Sequence, residues 1–225
     1  MKKTPFILLL SLLAIIAFLL VRHVASLTIV WAGIAETEQE ALVNATNLLE
    51  NATRIEGEPT QAELLKQAAF LDVPLILALI GGLFYYRRKS RSDLRKPALL
   101  GCFCSILCMP LHELLHAISI PRGATSYIGI IKGNFSAYAF TDACMTLPQC
   151  VCYYLVPAFA LGVIPLIFSL LIKNKNLFWQ VFLFAFALLG LIQTAPDWFG
   201  LYPVLKGVPH GATLQMSDGF TYWFF

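Results

Sequence analysis

Five stretches of this 225-residue chain are apolar for long enough to cross a bilayer, and that pattern limits the fold more than any other feature. They run approximately from Pro5 to Val21, Ala68 to Tyr86, Pro97 to Ile120, Val151 to Ile172 and Leu177 to Ala195. A hydrocarbon core of ~30 Å needs about 20 apolar residues per helix. With 58% hydrophobic and 13% charged residues, the chain has little room for a separate soluble domain. The expectation is an all-α polytopic membrane protein with about five transmembrane helices and small extracytoplasmic β-hairpins.

Basic residues fix the expected orientation. Lys2 and Lys3 precede the first span, Arg87, Arg88, Lys89, Arg91, Arg95 and Lys96 fill the loop between the second and third, and Lys173 and Lys175 separate the fourth from the fifth. All of these fall on one side. The other side carries Glu36, Glu38, Glu40, Glu50, Glu56, Glu58 and Glu63 among scattered Lys and Arg. The positive-inside rule then predicts a multi-pass cell-membrane protein with a cytoplasmic N-terminus and an outer C-terminus. The basic loop is explained by topology and anionic lipid, so nucleic acid is not an expected partner.

Three regions are expected. Residues 1–35 form an N-terminal membrane anchor, in which an apolar patch from Leu27 to Ala35 continues past Arg22 and His23; a cleaved signal peptide is the alternative. Residues 36–67 read as an acidic extracytoplasmic cap of two short amphipathic helices broken near Gly57 and Pro59. Residues 68–225 form the membrane domain. Within it, SYIGIIKGNFSAYAF and ATLQMSDGFTYWFF place β-branched and aromatic residues around Lys132-Gly133-Asn134 and Asp218-Gly219, both hairpin signals. Two uses are open: the hairpins pair with each other as a lid, or an unpaired edge accepts an extended peptide. Cys102, Cys104 and Cys108 read as small packing residues, whereas Cys144, Cys150 and Cys152 are candidates for an outer disulfide.

The third apolar stretch holds His112-Glu113-Leu114-Leu115-His116. On a helix the two His are one turn apart on one face, so both imidazoles can reach a single ion at the ~2.0–2.1 Å that zinc requires. Glu113 is rotated about 100° from His112, which sets its carboxylate beside the ion, where it can take a proton from an attacking water. The bland alternative is polar pairing inside a helix bundle, but ionisable groups in a membrane cost ~2.5–3.5 kcal/mol each and usually serve a function. A catalytic zinc needs a third protein ligand. His23, His210, Asp72 and Asp197 are the candidates. Asp197, at the Pro-bent end of the fifth span, lies at the same expected membrane depth as the His pair. Gln193 and Thr194 either line the pocket or satisfy main-chain groups near Pro196, and Pro157 and Pro165 should kink the fourth span.

The LHELLHA stretch, the hairpin, the segment DACMTLPQCVCYYLVPAFALGVIPL with Pro157 and Pro165, and Asp197 before a short β-type tail together resemble a known family. The chain is similar to intramembrane zinc proteases of the site-2 type and, more closely, to a bacterial integral-membrane family of zincin peptidases. The resemblance spans roughly Pro97 to Phe225. It implies a zincin-like metallopeptidase fold, zinc as cofactor and a membrane protein or peptide as substrate, with His112, His116 and Asp197 as ligands and Glu113 as catalytic base. Site-2 proteases carry their Asp in an Asp-Gly context, whereas Trp198 follows here. Another functional class, a non-catalytic zinc-binding membrane protein with a structural, binding or immunity role, makes a different prediction: Glu113→Gln leaves its function intact. A transporter is weaker, because the sequence shows no internal repeat.

Overall fold

The structure is a computed structural model that describes residues 23–36, 51–90, 93–132, 136–141, 143–172, 176–217 and 220–225. The expected first span, Pro5 to Val21, lies outside the described residues, as does 37–50 of the acidic cap.

Among the described residues two helices are long and apolar enough to cross a membrane, or up to four if each bent pair counts as one span. The first, α1 (Gln61–Ser90), contains the expected Ala68 to Tyr86 stretch. It opens with a capping box: Thr60 N–H and Oγ–H both donate to Glu63 Oε2 at 2.8 Å, and Glu63 N–H returns a bond to Thr60 Oγ1. The second half of the cap is therefore not a separate amphipathic helix but the first turns of this one. Phe70, Leu77 and Phe84 recur every seven residues and are 81%, 63% and 67% exposed, an apolar stripe suited to lipid.

The expected third span is broken. Helix α2 (Arg95–Leu107) and helix α3 (Met109–Ile118) meet at Cys108 with a 47° bend. Pro110, in the first turn of α3, has no N–H to continue the α2 ladder, and this starts a new helix. The fourth stretch is continuous, from α4 (Leu147–Ala158) through a π-helical turn (Phe159–Val163) into α5 (Ile164–Leu171). Pro157 and Pro165 flank that turn, and wide turns of this kind relieve the lost main-chain bonds. The fifth stretch, α6 (Leu177–Gln193), is followed by a further helix before the expected β-type tail, whose strands cover Thr213–Ser217 and Phe220–Phe224. It bends by 47° at Thr194 into α7 (Ala195–Gly207), which carries Pro196 in its first turn.

Among the described residues, strands build two separate sheets. One has the order β1 (Thr28–Ala35), β3 (Thr125–Ile131), β4 (Ser136–Thr141), with β1 parallel and β4 antiparallel to β3. Leu27 to Ala35, expected to continue the anchor, thus supplies a strand instead. Its bulge between Trp31 and Gly33 uses a left-handed φ of +98° at Gly33. The other sheet has the order β2 (Thr53–Arg54), β7 (Phe220–Phe224), β6 (Thr213–Ser217), β5 (Met145–Thr146). Both predicted hairpins form, β3 with β4 and β6 with β7, but among the described residues they lie in different sheets and do not pair with each other as a lid. All six cysteines are free thiols, and Cys150 is buried in the core.

That core joins Ile55, Ile120, Met145, Cys150, Tyr153, Leu201, Val204 and Leu214. It fastens the β6–β7 sheet, α4 and α7 together just beyond the end of α3. A latch closes it from the cap side, where Thr221 N–H and Oγ–H donate to the two oxygens of Glu58 at 2.6 and 2.8 Å.

Candidate active site

Two local breaks create the site. The bend at Cys108 aims α3 at the middle of the molecule, and the bend at Thr194 brings the first turn of α7 against it. Thr194 closes the second break itself: its hydroxyl donates to Leu191 O at 3.1 Å and its carbonyl accepts from Asp197 N–H at 3.1 Å. Of the two expected uses of Thr194, the main-chain one is found. Gln193 accepts a bond from Ser105 Oγ at 3.3 Å, linking α6 to α2.

His112 and His116 are buried, each 5% exposed, with their Nε2 atoms 3.0 Å apart. Asp197 Oδ2 lies 3.4 Å from each of them. Three donor atoms therefore form a nearly equilateral triangle. A tetrahedral zinc with bonds of ~2.0–2.1 Å separates its donors by about 3.3 Å, so the triangle has the size of one face of such a site. Glu113 stands to the side, its Oε1 3.9 Å from His112 Nε2, and the His112, Glu113 and His116 donor atoms all fall within 4.8 Å of one another.

The chemistry of the donor set fits a cation. His116 Nδ1 lies 2.8 Å from the carbonyl oxygen of Tyr153, which can only accept, so Nδ1 carries the proton and Nε2 offers a lone pair to the triangle. Asp197 Oδ2 is buried without a hydrogen-bond partner. A carboxylate oxygen and two imidazole nitrogens crowded together out of water are costly unless a cation or shared proton sits among them. Zinc meets that demand.

Residues 105–212 match the family model described as "Putative zincin peptidase". The match includes all four clustered side chains, both hairpin strands β3 and β4, and the α4 to α7 helices; it supports a zinc metallopeptidase. No curated protein and no solved structure gives a significant match.

The other expected ligand candidates are elsewhere. His23 lies 2.9 Å from the carbonyl oxygen of Ile118 at the end of α3, a tether for the helix rather than a ligand. His210 is exposed, and Asp72 lies on α1 with one buried oxygen unpartnered. Sequence reasoning missed Tyr153. Its ring packs on His116 at 4.7 Å between centroids, and its hydroxyl donates to Ala139 O on β4 at 3.0 Å. No motif marks it, because it meets His116 through a main-chain carbonyl that any residue possesses.

Proposed function

We propose that the protein is a zinc-dependent, membrane-embedded endopeptidase that hydrolyses a peptide bond within or next to a membrane segment of a protein or peptide substrate. The observation that carries this reading is the triangle of His112 Nε2, His116 Nε2 and Asp197 Oδ2, with edges of 3.0, 3.4 and 3.4 Å, beside the Glu113 carboxylate. His112, His116 and Asp197 would hold the ion. When bound, zinc supplies Lewis acidity, polarising a peptide carbonyl and making water easier to deprotonate near neutral pH. Glu113 accepts the proton of the attacking water and returns it to the departing amine, which balances the hydrolysis without another group. Asp197 holds its place through the first turn of α7. Burial of both imidazoles excludes bulk water from the reacting atoms.

Helical substrate segments have their carbonyls engaged in the main-chain ladder, so a local unwinding must precede cleavage. Charge placement supports an outward-facing site, a cytoplasmic N-terminus and an outer C-terminus. The test uses zinc-loaded protein in proteoliposomes with a quenched-fluorescence peptide mixture and a membrane-segment reporter. The expected result is cleavage by the wild type, abolished in Glu113→Gln with zinc retained. Cleavage undiminished in Glu113→Gln would remove the general base from the mechanism. Zinc binding without cleavage of either probe would favour the non-catalytic alternative.

A further inference from the structure

We propose that His23 is a positioning residue for the metal ligand His116, acting through the last turn of α3. Its bond to Ile118 O, at 2.9 Å, holds the C-terminal end of the helix that carries both His ligands. The consequence for zinc rests on the peptidase reading; the tether does not.

Helix α3 needs a hold from outside. It has ten residues, and isolated helices shorter than ~12–15 residues are marginal. The 47° bend at Cys108 also removes the straight continuation of α2 that would otherwise fix its direction. At the other end, the last carbonyls have no further helical turn to bond to. Leu115 O accepts from Ser119 Oγ at 2.6 Å and His116 O from Ser119 N–H at 3.0 Å, both supplied by the residue that ends the helix. Ile118 O is served instead by His23, 95 positions away in the chain. A carbonyl oxygen can only accept, so His23 Nε2 carries a proton. The neutral Nε2–H tautomer and the imidazolium both present that proton, so the tether does not depend on the charge of His23.

His23 is itself fixed. Its carbonyl accepts from Ser26 N–H at 3.0 Å and from Ser26 Oγ–H at 2.6 Å. Gly123, with a left-handed φ of +77°, donates its N–H to Ser26 O at 3.2 Å, and Thr28 N–H donates to Ala124 O at 3.1 Å. From there β1 runs parallel to β3 as far as Ala35, whose carbonyl accepts from Lys132 N–H at 2.8 Å. One seam of bonds thus joins residues 23–35 to 118–132, and His23 is its end at the metal helix. None of residues 23–35 belongs to the matched region, 105–212. His116 lies two residues before Ile118 and is held from two directions: Tyr153 O meets its Nδ1 at 2.8 Å, and the seam holds the turn of main chain that bears it. A slip of that turn would move His116 Nε2 relative to Asp197 Oδ2, now 3.4 Å away, more than it would move His112 one turn farther from the tether.

The experiment uses full-length protein in detergent: wild type, His23→Gln, His23→Asn and His23→Leu. Gln carries its Nε2 as many bonds from Cα as His does and can donate to Ile118 O; Asn ends one bond short, and Leu keeps apolar bulk without a donor. Zinc affinity is read by competition with a chelating dye, stability by the thermal unfolding midpoint of the zinc-free protein, and the last turn of α3 by amide exchange at residue resolution. His23→Asn and His23→Leu should weaken zinc binding by about threefold to tenfold and speed exchange of the Ala117 and Ile118 amides, while His23→Gln stays within about twofold of the wild type in both. A lower unfolding midpoint in Asn and Leu with zinc affinity and last-turn exchange unchanged would make His23 a structural anchor only and overturn the proposal, as would a Gln variant that behaves like Leu. If the wild type binds zinc and the variants respond as described but no probe peptide is cleaved, the tether stands and the peptidase reading falls. If the wild type takes up no zinc, the metal reading falls, and last-turn exchange alone decides the tether.

Discussion

Gly190→Ala tests whether the crossing of α6 against the π-helical turn sets the site. A Cβ built on Gly190 would stand 2.4 Å from Leu161 O and 2.9 Å from Leu161 C, both main-chain atoms that cannot rotate away. Ordinary contact begins at 3.4 Å, so the helices must part by 3.4 − 2.4, about 1 Å. Overpacking of this kind costs ~1–3 kcal/mol, and the gain of about 1 kcal/mol in helix propensity leaves a net loss of up to about 2 kcal/mol. The larger consequence is at the metal triangle. Gly190 lies less than two turns before Asp197, and a 1 Å displacement of α6 would stretch the two 3.4 Å edges toward about 4.4 Å, beyond the about 3.3 Å of tetrahedral zinc. Zinc affinity should fall by about tenfold or more, measured by competition with a chelating dye, and the unfolding midpoint in detergent should fall with it. Gly81→Ala is the control, since nothing lies within 4 Å of its Cβ. If Gly190→Ala binds zinc as the wild type does and unfolds no earlier than Gly81→Ala, the crossing does not position Asp197.

Other outcomes follow from single contacts. Thr146 and Gln149 form a capping box at the start of α4, so Thr146→Ala should lower stability by about 1 kcal/mol, read from denaturant midpoints. Burial raises the Glu58 carboxyl above its usual range, against the opposing bonds from Thr221 and the charge of Arg54. A raised folded value means that its contribution is fully present below the ordinary carboxylate pKa and is lost as pH rises through the folded one. Stability of the wild type should therefore decline across that window, and Glu58→Gln should flatten the decline; an identical pH slope in both proteins would exclude Glu58 as its source. Gly101→Ala places a Cβ 2.4 Å from Phe182 O at the α2–α6 crossing, and unfolding should again come earlier than in Gly81→Ala.

Much of the site was legible because helical spacing alone aligns His112 with His116 and turns Glu113 aside. Asp197 could be chosen from its expected depth and from Pro196, which marks the bend that delivers it. The same reasoning applied to Pro110 would have found the break in the third span, where a proline just after Cys108 ends one helix and begins another. Leu27 to Ala35 was harder. Its run of apolar and β-branched residues suits a helix or a buried strand equally, and its partner β3 lies almost 100 residues away, so only a long-range pairing decides. The Thr60–Glu63 box was a local signal for the start of α1, hidden by the helical periodicity on either side. Tyr153 had no sequence signal at all, since its contact with His116 runs through the main chain.

The most direct measurement of the central claim is zinc content by elemental mass spectrometry on detergent-purified protein, with wild type beside His116→Ala, Asp197→Ala and Glu113→Gln. One zinc per chain in the wild type and in Glu113→Gln, with loss in the other two, is the predicted result. A wild type that holds no zinc after supplementation, or an Asp197→Ala that holds it as well as wild type, would contradict the account.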